Sequence, residues 1–238
     1  MRGGARKAKR LVRLAAGWLL PVALLSVVAP AVPAQSPQEI EDLTHRVFAV
    51  TPVPAEGAAG FWVCAGCHGP GGNGDPAKRV PAIAGQHQRV VAKQLIDYQN
   101  HARWDASMEQ VADRHRLTRP EDFANLAAHV ASLPRAAQRE TGNGRDTTQG
   151  RALYRASCAE CHGADGEGNG VTLVPMLAGQ HFSYLRRQLA DTLDGRRPNM
   201  PPPHADLLAG ADARRLDGLA DFLSRLQPAR RVVGSAPR

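Results

Sequence analysis

The chain has 238 residues, enough for one large domain or two small ones, with 30 Lys+Arg against 22 Asp+Glu and only 5 % aromatic residues. Of its formal charge of +8, +6 sits in the first 13 residues, so the chain beyond residue 34 carries only +2. No stripe of interleaved aromatic and basic residues accompanies that charge, which excludes nucleic acid as a partner.

In chain order, the first segment reads as a secretory signal peptide over residues 1–34. Arg2, Arg6, Lys7, Lys9, Arg10 and Arg13 precede an apolar run from Leu14 to Val32, which ends in the small-residue exit Val32-Pro33-Ala34. The competing reading is a retained membrane anchor, because the 19 residues from Leu14 to Val32 are about enough to cross a bilayer. Pro21 and Pro30 interrupt that run, and cleavage after Ala34 is the expectation. Membrane association follows only if the leader is retained.

Residues 35–56 form a lead segment, and from there one unit is written twice, over 57–137 and 138–238. At an offset of 94, Cys64, Cys67 and His68 fall on Cys158, Cys161 and His162, Pro81 falls on Pro175, and Gly85-Gln86-His87 falls on Gly179-Gln180-His181. With a two-residue slip Met108 falls on Met200. The first unit reads PAEGAAGFWVC before its cysteines, where the second reads GRALYRASC, so the first has no legible opening helix.

Helical spacing then appears at Val91, Leu95 and Tyr98, and at Phe123, Leu126, Val130 and Leu133, with Thr118 and Glu121 as a capping box. The polar stretch Pro134–Thr148 reads as a linker. The second unit repeats the pattern at Leu185 and Leu189 and at Leu216, Leu219, Leu223 and Leu226, ending in a basic tail. Strand-type alternation is absent, so each unit is a small all-α fold. Small domains poor in aromatics need a metal, disulfide or cofactor to complete the core.

The cysteine pattern supplies one. Cys-x-x-Cys-His is the attachment signature of c-type haem. Two cysteines three apart on a helical turn reach the two vinyl groups of one porphyrin, and the next residue, His68 or His162, lies beneath the iron. A zinc site needs a different ligand set, a redox dithiol needs a βαβ setting, and a disulfide framework needs no histidine at the same place twice. Two covalently bound haem c groups are therefore expected, held by Cys64, Cys67, Cys158 and Cys161, with His68 and His162 as proximal ligands. For the sixth position Met108 and Met200 are the methionines that the repeat preserves. Met176 aligns with Ala82 and stands as a spare candidate for the second haem. Pro81 and Pro175, each 13 residues after its histidine, offer carbonyls to the imidazole Nδ1–H. His87 and His181 begin helices, which points to a capping or surface role. His204, four residues past Met200, has no repeated partner.

CAGCHG and CAECHG, the runs PAIAGQ (81–86) and PMLAGQ (175–180), KQL and RQL, and the downstream methionines resemble class I cytochromes c, and among them the dihaem cytochrome c4 type. The resemblance implies an all-α protein of two tandem class I cytochrome c domains related by approximate two-fold symmetry. It further implies His68/Met108 and His162/Met200 as axial pairs and electron transfer in the periplasm between redox protein partners, toward a terminal oxidase. That makes the chain a carrier rather than an enzyme. A cytochrome subunit of a periplasmic dehydrogenase is the alternative, with 35–56 as a docking element; a dihaem peroxidase or thiosulfate-oxidising enzyme would need a haem without a firm sixth ligand.

Overall fold

The computed structural model describes residues 35–137 and 139–227. The leader expected over 1–34 and the tail beyond Gln227 lie outside the described residues. Both repeats belong to one compact unit. The described residues hold helices, one short 3-10 turn and two isolated β-bridges, Asp75↔Val80 and Asn169↔Val174, which fall on each other in the repeat.

The lead segment folds into the first lobe. Helix α1, Pro37–Ala49, starts at a capping box in which the Ser36 hydroxyl accepts from the Glu39 N–H and the Glu39 carboxylate accepts from the Ser36 N–H. Leu43 and Val47, one turn apart on α1, are buried in the first core with Phe61, Ile96, Phe123 and Val130. Helix α2, Pro54–Gly60, then leads into α3, Trp62–His68, which carries the first cysteine motif. Next come α4, Gln88–Gln99, the six-residue α5, Ala106–Val111, and the closing helix α6, Pro120–Ser132.

The second lobe runs α7, Thr147–Ser157; α8, Ala159–His162; α9, Phe182–Leu193; α10, Pro203–Leu208; and α11, Ala213–Arg225. Its core gathers Tyr154, Leu185, Leu208, Leu216, Leu219 and Leu223.

In each lobe the opening helix crosses the closing helix at a glycine. A Cβ on Gly150 would lie 1.9 Å from the Gly218 carbonyl oxygen, and one on Gly57 would lie 2.0 Å from that of Asn125. Four residues on, Tyr154 is fully buried against Phe222, and Phe61 is buried against His129, with ring centroids 5.5 and 5.0 Å apart. The first lobe therefore does have an opening helix, α2, with the same Gly-x-x-x-aromatic pattern. It aligns at an offset of 93, because one fewer residue separates Phe61 from Cys64 than Tyr154 from Cys158. That slip hides it from a comparison anchored on the cysteines.

The cap of α6 also differs from expectation. Asp122, rather than Glu121, receives the N–H groups of Thr118 and Arg119, at 3.1 and 2.9 Å. Pro120 occupies the first turn and moves the cap to Arg119.

Candidate haem sites and the contact between them

Helix α3 turns Cys64, Cys67 and His68 toward one cavity, and in the second motif α8 carries Cys161 and His162 with Cys158 at its N-cap. All four cysteines are free of disulfides. Burial pushes the Cys64 thiol up to about 11 and raises that of Cys158 as well. His68 and His162 are both buried, at 6 and 8 % exposure. Burial also lowers the pKa of each ring, and His204 adds to the effect at His162; the carbonyls of Pro81 and Pro175 act in the opposite direction. Burial thus favours the neutral imidazole, the form that binds a metal.

The proline carbonyls stand where a ligating histidine needs them. His68 Nδ1 lies 2.9 Å from the Pro81 oxygen, and His162 Nδ1 lies 3.0 Å from that of Pro175. With Nδ1–H donating to a carbonyl, Nε2 keeps its lone pair for a metal. The loop between motif and proline is closed the same way twice: Gly74 and Gly168 donate to the carbonyls of His68 and His162, at 2.9 and 2.8 Å. Both glycines have positive φ, and a Cβ at either would strike the proline's peptide group at 2.5 to 2.7 Å.

A cavity of about 370 Å³ opens beside α3. Cys64, Cys67, His68, Pro81 and Met108 line it, with an apolar wall that includes Ile83, Val91, Leu95 and Val130. A second cavity of about 400 Å³ shares Val63, Cys64, Leu95, Val111 and Leu126 with it. Met108 sits in α5, whose first turn is capped by the Asp105 carboxylate accepting from the Met108 N–H at 3.2 Å.

The cavity's polar end is built by both lobes, from Tyr98 and Arg103 on one side and Tyr184, Arg187 and Arg197 on the other. Arg103 donates to Gln94, to the Tyr184 hydroxyl at 2.5 Å and to Gln188 at 2.9 Å. Nε of Arg187 and Nε of Arg197 are buried without a hydrogen-bond partner. Burial, with Arg103 close by, lowers Arg197 to about 10. A haem fits this lining. Its flat body would lie against the apolar wall, Cys64 and Cys67 would take its vinyl groups, and Arg187 and Arg197, each with a buried Nε that lacks a partner, would hold its carboxylates.

The repeated Gly-Gln-His triplets join the lobes. The Gln86 amide takes both backbone groups of Met176, at 3.0 Å each, and the Gln180 amide takes both of Ala82, at 2.9 and 2.7 Å. His87 Nε2 donates to the Glu167 carbonyl and His181 Nε2 to that of Asn73, at 2.8 Å each. Arg135 of the connecting segment bonds the carbonyls of Ala84 and Ala178, which are equivalent in the repeat. Residue i of one lobe meeting j of the other, and j meeting i, is the mark of an isologous two-fold contact.

His87 and His181 do stand at the N-caps of α4 and α9, but neither makes a side-chain cap; both side chains cross to the other lobe. Their repetition together with glutamine was the available signal. Met176 is pinned by its backbone to Gln86, one residue after the carbonyl that holds His162.

Comparison with known proteins agrees with this arrangement. Residues 54–134 match the family described as cytochrome c, and residues 145–223 match that described as cytochrome c oxidase, cbb3-type, subunit III. Cytochrome c4 of Pseudomonas aeruginosa is 34 % identical over 153 residues, covering 61 % of this chain and 73 % of that protein. A thiosulfate dehydrogenase electron acceptor of Thiomonas intermedia is 29 % identical, over 58 % of this chain and 66 % of the relative. Among solved structures, reduced recombinant cytochrome c4 from Pseudomonas stutzeri superposes with a TM-score of 0.67 at 26 % identity, over 74 % of this chain and 100 % of that one. Thiosulfate dehydrogenase (TsdBA) from Marichromatium purpuratum gives 0.61 at 33 % identity, over 70 % of this chain and 37 % of that one.

Proposed function

The chain belongs to the cytochrome c4 family, a dihaem electron carrier with two covalently bound haem c groups, and from that premise we propose that it passes electrons between periplasmic redox proteins, toward a terminal oxidase. The observation that carries this reading is the shared polar end of the first haem cavity, lined by arginines and tyrosines of both lobes. Haem carboxylates meeting there would bring two redox centres together inside one rigid contact, so an electron taken up at one lobe can leave from the other.

Cys64 and Cys67, and Cys158 and Cys161, would anchor the two groups, with His68 and His162 as proximal ligands held by Pro81 and Pro175. The bound haem supplies the one-electron chemistry; the chain excludes water from it and fixes its ligands. In the first lobe Met108, across the cavity from α3, would complete the axial pair. Methionine raises the reduction potential and closes the iron to outside ligands, as a carrier requires. For the second haem the repeat offers Met200. Among the described residues no helix is long and apolar enough to cross a membrane.

A second reading makes the donor a periplasmic dehydrogenase, favoured by the similarity to thiosulfate dehydrogenase electron acceptors. The readings separate by stopped-flow mixing. The reduced holoprotein should be oxidised rapidly by membranes containing a cytochrome-dependent oxidase. If such membranes leave it reduced while the oxidised form is reduced by a thiosulfate dehydrogenase with its substrate, the dehydrogenase reading replaces the oxidase one.

A further inference from the structure

We propose that Arg187 of the second lobe is a positioning residue for Met108 of the first, holding the N-terminal end of α5 through Asp105. This rests on Met108 as an axial ligand, read above, and adds a device in the other lobe that keeps it in place.

Helix α5 has six residues, Ala106–Val111, and Met108 is its third. So short a helix closes few bonds of its own, and its position is set by what holds its two ends. At the C-terminal end the buried Gln99 side chain of α4 donates to the carbonyls of Ala112 and Leu117, at 2.9 and 3.0 Å. That end is fastened within the first lobe.

The N-terminal end is fastened from outside it. Asp105 Oδ1 accepts from the Met108 N–H at 3.2 Å, and Asp105 Oδ2 lies 3.6 Å from Nη1 of Arg187 on α9. One carboxylate thus joins the Met108 backbone to the second lobe. The two side chains are 27 and 32 % exposed, so water and salt screen the pair less than one on the open surface. Asp105, Met108 and Arg187 all line the first haem cavity. Nη1 of Arg187 serves the cap of α5, which leaves its buried, unpartnered Nε for the carboxylates assigned to it above.

The two-fold relation of the lobes repeats the crossing. At the offset of 94, Asp105 falls on Asn199 and Lys93 falls on Arg187. Asn199, immediately before Met200, donates from Nδ2 to Asp97 Oδ2 of α4 at 2.8 Å. Lys93 donates to the other oxygen of that buried carboxylate. In both lobes, therefore, the residue leading into the methionine segment reaches a charged group on the other lobe's central helix. The first lobe does so through an ion pair, the second through a hydrogen bond.

Ligand exchange in the oxidised holoprotein tests this. Cyanide reaches a methionine-ligated ferric haem only when the thioether lets go, and loss of that bond's weak red absorption band reports the exchange. Met108→Ala should halve the band and remove the slow phase that belongs to the first haem, which assigns that phase. Asp105→Asn keeps an oxygen for the Met108 N–H but loses the ion pair, and Arg187→Gln loses it from the other lobe. Each should speed the first-haem phase about two- to fivefold, the worth of a partly exposed pair, and leave the second phase unchanged. Arg187→Lys, which keeps the charge, should restore most of the wild-type rate. The double variant Asp105→Asn/Arg187→Gln should be no faster than either single, because both remove one interaction. Unchanged rates in the two singles, or effects that multiply in the double, would overturn the proposal. A red band at full strength in Met108→Ala would instead overturn Met108 as a ligand.

Discussion

Gly150 faces the carbonyl of Gly218 so closely that any side chain would have to displace one of the two helices: a Cβ would lie 1.9 Å from that oxygen. Gly57 stands the same way against Asn125, at 2.0 Å. Gly150→Ala and Gly57→Ala should each cost about 1–3 kcal/mol or more, the range for overpacking, and lower the melting temperature. Gly60→Ala, with nothing within 4 Å of its Cβ, is the control and should be near neutral. Thermal unfolding of the three holoprotein variants checks this.

Gln180 spends its amide on both backbone groups of Ala82, a residue 5 % exposed. Gln180→Ala leaves a buried N–H and C=O without partners, at about 1–3 kcal/mol for each. Since the lost bonds join the lobes, unfolding in denaturant should also broaden or split into two steps. Gln86→Ala should behave alike through Met176. A shift in midpoint with an unchanged slope in both variants would show that other contacts hold the lobes together.

Arg197 is the buried cation that the protein leaves least matched, with Nε unpartnered and its pKa lowered to about 10 by burial and by Arg103. A positive charge near a haem favours the reduced state. Arg197→Gln should therefore lower the midpoint potentials, by on the order of tens of millivolts at protein-interior screening. Spectroelectrochemical titration reads this directly, and a shift upward would mean that Arg197 does not face haem carboxylates.

Asp122 links stability to acid. Burial pushes its carboxyl up, but the bonds from Arg119 and from the N–H groups of Thr118 and Arg119 outweigh that and hold it below the ordinary value. Its folded pKa lies under the unfolded value of about 3.9. Its contribution is therefore complete above that pH and is lost as pH falls through the folded pKa. The stability difference between wild type and Asp122→Asn should be constant from neutral pH to about pH 5 and shrink below about pH 4. Denaturation at a series of pH values tests it, and a difference that persists at the lowest pH would assign the cap to hydrogen bonding alone.

Much of this was legible in the residues. Chemistry that needs fixed spacing shows in a sequence, so the two CxxCH motifs and the prolines 13 residues on led to sites where Nδ1 meets the carbonyl at 2.9 and 3.0 Å. Apolar periodicity marked α4, α6, α9 and α11, because each buries one stripe. Contacts made by side chains to distant backbone have no such periodicity. Gln86, Gln180, His87 and His181 were visible as repeats, but their partners lie 80 to 108 residues away. The glycine crossing of the first lobe was hidden by one residue of slip.

The central claim is a carrier with two closed haems, and potentiometric titration of the purified holoprotein under carbon monoxide and under argon tests it most directly. The account predicts two reversible one-electron steps per chain with the same midpoints in both gases, since neither iron has a position to give. A midpoint that moves under carbon monoxide, with a high-spin signal in the resting protein, would contradict it and reveal an open haem suited to catalysis.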